Sequence, residues 1–303
     1  MTERLLIIGS GALACLFAAR ISRSGTSVTM TDTWAEGVEA IRINGVRLVE
    51  ETQTTTWKVK ALNKPEQNVF FSTALILTKA YQTTEAVVFA RGFLGKDGTL
   101  LTLQNGLTAR SKITQILGEA LVLSGITTCA AQMINPGVVK FNGGNFVRIG
   151  IHPNVENYQE IFTSAGFDVS IEPNIGAMIW EKAVLNAAIN PLGAILGLTN
   201  GELKNDPDAF DLMKSLLAEG CIIARSAGFE IREDYISKIL VTILNETAAN
   251  QCSMLQDIQN GRQTEIDDIN GALVEIAARN HIPTPVQEMV IRLVKATERK
   301  GNK

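Results

Sequence analysis

Gly9-Ser10-Gly11-Ala12-Leu13-Ala14 is the feature that most narrows what this chain can fold into. It follows the short apolar run Arg4 to Ile8 and precedes the periodic pattern Leu13, Leu16, Phe17, Ala18 and Ile21. A G-x-G-x-x-A turn therefore joins a predicted strand to a predicted helix. Gly25 stops that helix and Ser27 to Thr31 reads as a second strand, so the first thirty residues form one strand, helix and parallel strand unit. In such a unit the first glycine permits the tight turn and the second lets the backbone approach a pyrophosphate. The helix start adds unpaired N–H donors and the positive dipole end. Gly9, Ser10, Gly11, Ala12, Leu13 and Ala14 are therefore candidate cofactor-binding residues. A glycine turn with no ligand is the alternative that an isolated motif leaves open.

Asp32 follows the second predicted strand, about twenty residues beyond the glycines, where a carboxylate accepts hydrogen bonds from the adenosine ribose hydroxyls. That position favours NADH over NADPH, and no Lys or Arg lies between Arg23 and Arg42 to receive a 2′-phosphate. A solvated turn aspartate is the other reading. Further strands are predicted at Leu75 to Leu77, Leu100 to Leu103, Leu121 to Leu123 and Val138 to Phe141, with helical segments at 83–91 and 108–117. This alternation predicts a mostly parallel, helix-covered sheet, a Rossmann-type α/β domain over residues 1–173. Ligands of such sheets bind outside the carboxyl ends of the strands. Lys79, after Leu77-Thr78, and Asn105, in Gln104-Asn105-Gly106, are thus candidate contacts; a surface lysine and an ordinary turn are their plainer readings.

Glu172-Pro173-Asn174-Ile175-Gly176 reads as a linker, and residues 174–303 are predicted to form a second, all-α domain. Its helical segments include 210–227, 232–254 and 264–280. Two domains suit a chain of 303 residues, about twice the commonest domain size. Lys182, Asn186 and Asn190 recur every four residues in a segment otherwise made of Ala, Val, Leu and Ile, so they form a polar stripe on one face of an apolar helix. Buried amides and an ammonium need partners, and a bound polar substrate or hydrogen bonds to other helices would serve. With only two histidines, His152 and His281, a His-based metal site or dyad has little support and no metal is expected. A partly desolvated lysine, its pKa lowered by burial, is a reasonable proton donor beside a nicotinamide.

Composition removes several classes. A net charge of −3 and the lack of a Lys/Arg cluster argue against nucleic acid as a partner. The four cysteines, Cys15, Cys129, Cys221 and Cys252, stand far apart, as expected in a reducing compartment. The apolar run at the N-terminus is too short for a signal peptide core, and the longest one, Ala183 to Leu198, contains Asn186, Asn190 and Pro191. A cytoplasmic location without a membrane partner is expected. Apolar periodicity in the helical half allows a homodimer without requiring one.

The ordered series Gly9 motif, Lys79-Ala80, Asn105-Gly106, Lys182, Asn186 and Asn190-Pro191-Leu192 resembles the ketopantoate reductase (2-dehydropantoate 2-reductase) family. So do Asn200-Gly201-Glu202-Leu203, Ser253-Met254-Leu255-Gln256-Asp257, Thr264-Glu265-Ile266-Asp267 and Asn270-Gly271, and the likeness spans nearly the whole chain. The resemblance implies an NAD(P)H-dependent reduction of 2-dehydropantoate to pantoate, for pantothenate and coenzyme A synthesis. It implies that Lys182 is the general acid and that Asn186, Asn190, Asn200, Asn250 and Ser253, with Lys182, hold the substrate. Glu265 would be the carboxylate that fixes the catalytic constellation and contacts cofactor or substrate. Lys79, Asn105 and Ala131 would touch the cofactor from the first domain. Asp32 departs from the family's NADPH-dependent members, which tend to present a basic residue nearby. A different small 2-oxo acid as substrate, and a dinucleotide-binding sensor without turnover, are the alternatives.

Overall fold

The computed structural model describes residues 4–301. The chain forms two compact units: one runs through Gln104 and resumes over Ala109–Ile175, and the other comprises Asn105–Thr108 and the chain from Gly176 onward.

The first unit contains β1 (Arg4–Ile8), α1 (Ala12–Arg23), β2 (Ser27–Thr31), α2 (Ala35–Asn44), β3 (Val46–Val49), β4 (Thr54–Trp57), β5 (Lys60–Leu62) and β6 (Phe71–Ile76). It continues with α3 (Thr83–Ala90), β7 (Leu94–Thr102), α4 (Ala109–Leu117), β8 (Val122–Thr127), β9 (Ala130–Asn135), β10 (Val138–Gly143), β11 (Phe146–Gly150), α5 (Val155–Ser164) and β12 (Asp168–Glu172). Eight strands form one sheet in the order β12-β11-β8-β7-β6-β1-β2-β5. All its pairings are parallel except β8 with β11. Leu5 to Ile8 of β1 are buried on both faces, which is why this central strand reads as an unbroken apolar run. Phe17 of α1 stacks on Phe167 at 4.6 Å and meets Phe162 edge-on at 5.7 Å. These rings clamp α1 to α5 and to the residue that leads into β12.

A second sheet, in the order β4-β3-β10-β9, was foreshadowed in the sequence only by Val138 to Phe141. Its defining pair, β3 with β10, joins segments about ninety residues apart, and β4 is the polar stretch Thr54-Thr55-Thr56-Trp57. Neither property leaves a local apolar pattern. The linker expected over 172–176 contracts to a turn at Pro173-Asn174, because Glu172 still belongs to β12 and Ile175 opens a helix.

The second unit is helical: α6 (Ile175–Leu196, whose first residue closes the first unit), α7 (Asn200–Asn205), α8 (Pro207–Ser226), α9 (Glu233–Glu246) and α10 (Ser253–Gln259). A π-helical stretch at Asp267–Gly271 then leads into α11 (Ala272–Arg279), and α12 (Pro285–Gly301) follows. The starts of α7 and α8 are written in sequence. Thr199 and Glu202 form a reciprocal capping box on α7, and Asp206 caps α8 just before Pro207. Pro191 lies inside α6, where a missing N–H and a ring clash ordinarily cost about 3 kcal/mol or more.

The single helix expected over 232–254 is instead two. The chain leaves α9 at Thr247 and re-enters helix at Ser253, because the carbonyls of Ala248 and Asn250 accept from the first N–H groups of α7, Gly201 (2.9 Å) and Asn200 (3.0 Å). Carbonyls of the loop thus satisfy N–H groups that the start of α7 leaves without an intrahelical partner. The helix expected over 264–280 starts later and begins with the π-helical stretch, in which Asn270 is fully buried.

Candidate active site

Gly9 has φ +118° and donates its N–H to Thr31 O at 2.8 Å. A Cβ there would lie 3.1 Å from the Leu77 and Thr78 backbone, so a side chain at this position would be both strained and crowded. Gly11 is the N-cap of α1, with no side-chain cap bond and no acidic residue in the first turn. Nothing stands within 4 Å of where its Cβ would be. The first N–H groups of α1, from Ala12 to Ala14, thus start beside open space with no side chain over it, which fits a pyrophosphate. Ser10 is buried and gives both its N–H and its hydroxyl to Asp32 Oδ2, each at 2.6 Å, while Oδ1 accepts the Trp34 N–H at 3.2 Å. Asp32 is therefore anchored to the glycine loop, and Oδ1 keeps acceptor capacity. Beneath the loop, Cys15 donates to Ser10 O at 3.4 Å; its thiol is pushed up to about 12 by burial and then by the charge of Asp32.

At the carboxyl ends of β6 and β7, Gln104 Nε2 donates to Thr78 O (2.8 Å), Thr78 Oγ1 (3.1 Å) and Thr83 Oγ1 (3.0 Å). These bonds fix the Thr78-Lys79 turn from which half-buried Lys79 projects. Asn105, expected beside Lys79 on the first domain, belongs to the second unit. Its turn is held there by a distant segment: Thr108 Oγ1 donates to Asp268 Oδ1 at 2.8 Å, and Gly106, at φ +84°, lies so close to the Asp268 carbonyl that a Cβ would collide with it. Ala131 sits on β9 opposite Phe141 and packs against the core of the first unit.

In the second unit Lys182, Asn186 and Asn190 share a face of α6, the first two half-buried and Asn190 buried. Asn190, Asn200, Asn250 and Ser253 gather around the break between α9 and α10. Cys252 Sγ donates to Asn190 O at 3.5 Å and accepts the Leu255 N–H at 3.4 Å, capping α10 just before Ser253. Gly193 makes that approach possible, since a Cβ there would lie 2.8 Å from Cys252 Sγ. Asn200 Nδ2 donates to Thr247 Oγ1 at 2.7 Å, and the Thr247 proton goes to Ile243 O at 2.6 Å. Thr247 can therefore only accept from Asn200, which fixes the amide orientation and turns Oδ1 away. That Oδ1 is buried and has no protein partner.

Glu265 is buried just ahead of the π-helical stretch, and its carbonyl accepts from Asp268 N (3.1 Å) and Ile269 N (3.0 Å). Thr264 ties this turn to α12, giving its N–H (2.8 Å) and its hydroxyl (2.6 Å) to Glu298. Trp34, Thr247 and Cys252, which build these surroundings, are not among the site residues expected from sequence. Of the three, Thr247 carried a signal, as a hydroxyl able to bond back to a helix carbonyl at the end of an apolar run.

Comparison with known proteins adds independent findings. The family model described as Ketopantoate reductase PanE/ApbA matches residues 5–154, and its C-terminal counterpart matches residues 174–298. A 2-dehydropantoate 2-reductase of Pyrococcus horikoshii is 32% identical, over 98% of this chain and 98% of its own. Among solved structures, a D-mandelate dehydrogenase with NADH and anilino(oxo)acetate matches at TM-score 0.94 and 25% identity, covering 99% of each chain. A PanE/ApbA family ketopantoate reductase from Ralstonia eutropha JMP134 matches at TM-score 0.91 and 27% identity, over 99% of this chain and 100% of its own.

Proposed function

The chain belongs to the ketopantoate reductase family, and from that premise we propose that it reduces 2-dehydropantoate to pantoate, with NADH as the preferred reductant, in pantothenate and coenzyme A synthesis. The observation that carries the substrate assignment is the buried Asn200 Oδ1, an oriented acceptor with no protein donor. 2-Dehydropantoate carries a terminal hydroxyl, a donor that simple alkyl and aryl 2-oxo acids lack, and buried polar groups that await a ligand hydroxyl give strong discrimination against those acids.

The glycine loop fits a dinucleotide: the open face at Gly11 takes the pyrophosphate against the start of α1, and Asp32 Oδ1 accepts a ribose hydroxyl. Asp32, held by Ser10, sets a fixed negative charge against a 2′-phosphate, and this supports the choice of NADH. When bound, the reduced nicotinamide supplies the hydride. Lys182 stabilises the negative charge that develops on the ketone oxygen and delivers the proton that completes the alcohol. Asn186, Asn190, Asn250 and Ser253 orient the 2-oxo acid. Glu265 fixes the catalytic constellation and contacts cofactor or substrate, and Lys79, Asn105 and Ala131 contact the cofactor.

The likeness to the D-mandelate dehydrogenase favours a second reading, a 2-oxo acid bearing a bulky apolar group and no hydroxyl. Purified protein assayed on a panel of 2-oxo acids, following loss of NADH or NADPH absorbance, separates the two. The highest kcat/KM is expected for 2-dehydropantoate with NADH. A tenfold higher value for an aryl 2-oxo acid overturns the substrate assignment, and NADH binding without turnover on any member leaves a dinucleotide sensor.

A further inference from the structure

Pro191 deprives the Ala187 carbonyl of its helical donor, since that carbonyl would otherwise accept the N–H four residues on. Ala187 is fully buried. Its carbonyl is met from outside the helix by Asn270 Nδ2 at 2.9 Å. The other proton of that amide goes to Gln287 Oε1 at 2.8 Å, and Gln287 Nε2 donates to Leu216 O at 2.9 Å. The directions are forced: both carbonyls only accept, so Gln287 turns its nitrogen to Leu216 and its oxygen to Asn270. The result is a four-helix relay running from α6 through the π-helical stretch and α12 to α8. Asn270 and Gln287 are both 0% exposed.

One detail argues that this bridge does more than fill a gap. Asn270 Oδ1 is buried without a partner, a destabilising feature that calls for an explanation when a protein retains it. The explanation lies in what is joined. Ala187 directly follows Asn186 and lies between Lys182 and Asn190 on α6. Asn270 lies five residues after Glu265, in a π-helical stretch of the kind that often marks functional sites. A single hydrogen bond therefore spans the segment bearing the proposed proton donor and the segment bearing the proposed carboxylate.

We propose that Asn270 is a positioning residue, whose bond to the Ala187 carbonyl at the Pro191 break sets the register between the Lys182–Asn190 stripe and Glu265. The proposal rests on the function given above. A reacting group misplaced by about 1 Å can cost 10²-fold, so a register fixed by one interior bond has a kinetic signature.

The test compares wild type with Asn270→Ala, Pro191→Ala, the double variant and Gln287→Met, each measured for Tm, kcat and KM of both substrates well below its Tm. Asn270→Ala is expected to lower kcat roughly 10- to 100-fold with KM for NADH within about twofold, since the glycine loop lies in the other unit. In the double variant the new N–H of residue 191 can satisfy Ala187, so Tm should recover while kcat stays low. If kcat recovers together with Tm, or a folded Asn270→Ala keeps kcat within about threefold of wild type, Asn270 is only a filler and the proposal falls. Should neither Asn270 variant fold, Pro191→Ala decides: the N–H of residue 191 then competes with Asn270 for the Ala187 carbonyl, so kcat must fall about threefold or more, while Gln287→Met, which leaves that bond, stays within about threefold of wild type. An unchanged kcat in Pro191→Ala, or a larger loss in Gln287→Met, overturns the idea. Wild-type turnover of 2-dehydropantoate is measured first. Its absence with another 2-oxo acid reduced overturns the substrate assignment alone, and the variants are then compared on that acid; absence of all turnover overturns both.

Discussion

One oxygen of Asp32 accepts two hydrogen bonds from Ser10, from the backbone N–H and from the hydroxyl, each at 2.6 Å. Charge-assisted bonds of this kind contribute about 1.5–3 kcal/mol apiece, so the end of β2 and the glycine loop act as one piece. Asp32→Ala should therefore both remove the proposed ribose acceptor and loosen the loop, weakening NADH binding about tenfold or more by nicotinamide fluorescence titration. Asp32→Ala with Thr33→Arg should turn the ratio of kcat/KM toward NADPH. A wild-type protein that already prefers NADPH would show that Asp32 serves the loop alone.

Ser10→Ala isolates the second role, because Asp32 remains while the hydroxyl bond is lost. NADH should bind roughly three- to tenfold more weakly, with the preference over NADPH partly retained. Equal loss of affinity and preference would mean that the charge of Asp32 does not face the ribose.

Asn200 offers the sharpest test of substrate identity. Removing its orphaned acceptor in Asn200→Ala should lower kcat/KM for 2-dehydropantoate about tenfold and change that for a 2-oxo acid without a hydroxyl by less than about threefold. Because Asn200 also donates to Thr247, Tm is followed alongside. Equal losses on both acids would assign Asn200 to holding the α9–α10 break rather than to the substrate.

What could be read from sequence was whatever neighbouring residues alone dictate. The Gly9 motif announces a strand, turn and helix because Gly9 needs a positive φ and Gly11 an open face, both local demands. The Lys182, Asn186 and Asn190 stripe shows because an amphipathic period is local too. The break at 247–252 contains neither Gly nor Pro, and only α7, folded against it, makes leaving the helix favourable. Asn105 could not be assigned from chain order, since its turn is held by Asp268, more than 150 residues away in sequence. Cys252 as a cap, and Asn270 as the donor to a carbonyl orphaned by Pro191, are likewise pairings between distant segments.

The thiols give a pH-dependent test of how tightly both surroundings are packed. Burial pushes Cys15 up to about 12 and Cys252 up to about 11, so the thiolate, which is the reactive form, is scarce at pH 8 and grows only as pH rises toward those values. Native protein treated with iodoacetamide at pH 8 should leave both unlabelled by peptide mass spectrometry, and denatured protein should label at both. Modification of native Cys15 at the rate of a free thiol would mean that the glycine loop opens far more often than its bonds to Asp32 allow.

Lys182 carries the most demanding prediction, because no neighbour can replace it. As the ketone carbon gains hydride, its oxygen gains negative charge, and among the polar residues of the α6 stripe Lys182 alone can give up a proton readily, since Asn186 and Asn190 donate hydrogen bonds through amides. Lys182→Ala should lower kcat roughly 10²- to 10⁴-fold, the range expected for a positioned general acid. NADH affinity should hardly move, because the glycine loop is untouched. Asn186→Ala should act mainly on KM for the 2-oxo acid. A folded Lys182→Ala enzyme that retained more than about a tenth of wild-type kcat would assign the proton to another group, since that loss is smaller than removal of a general acid produces.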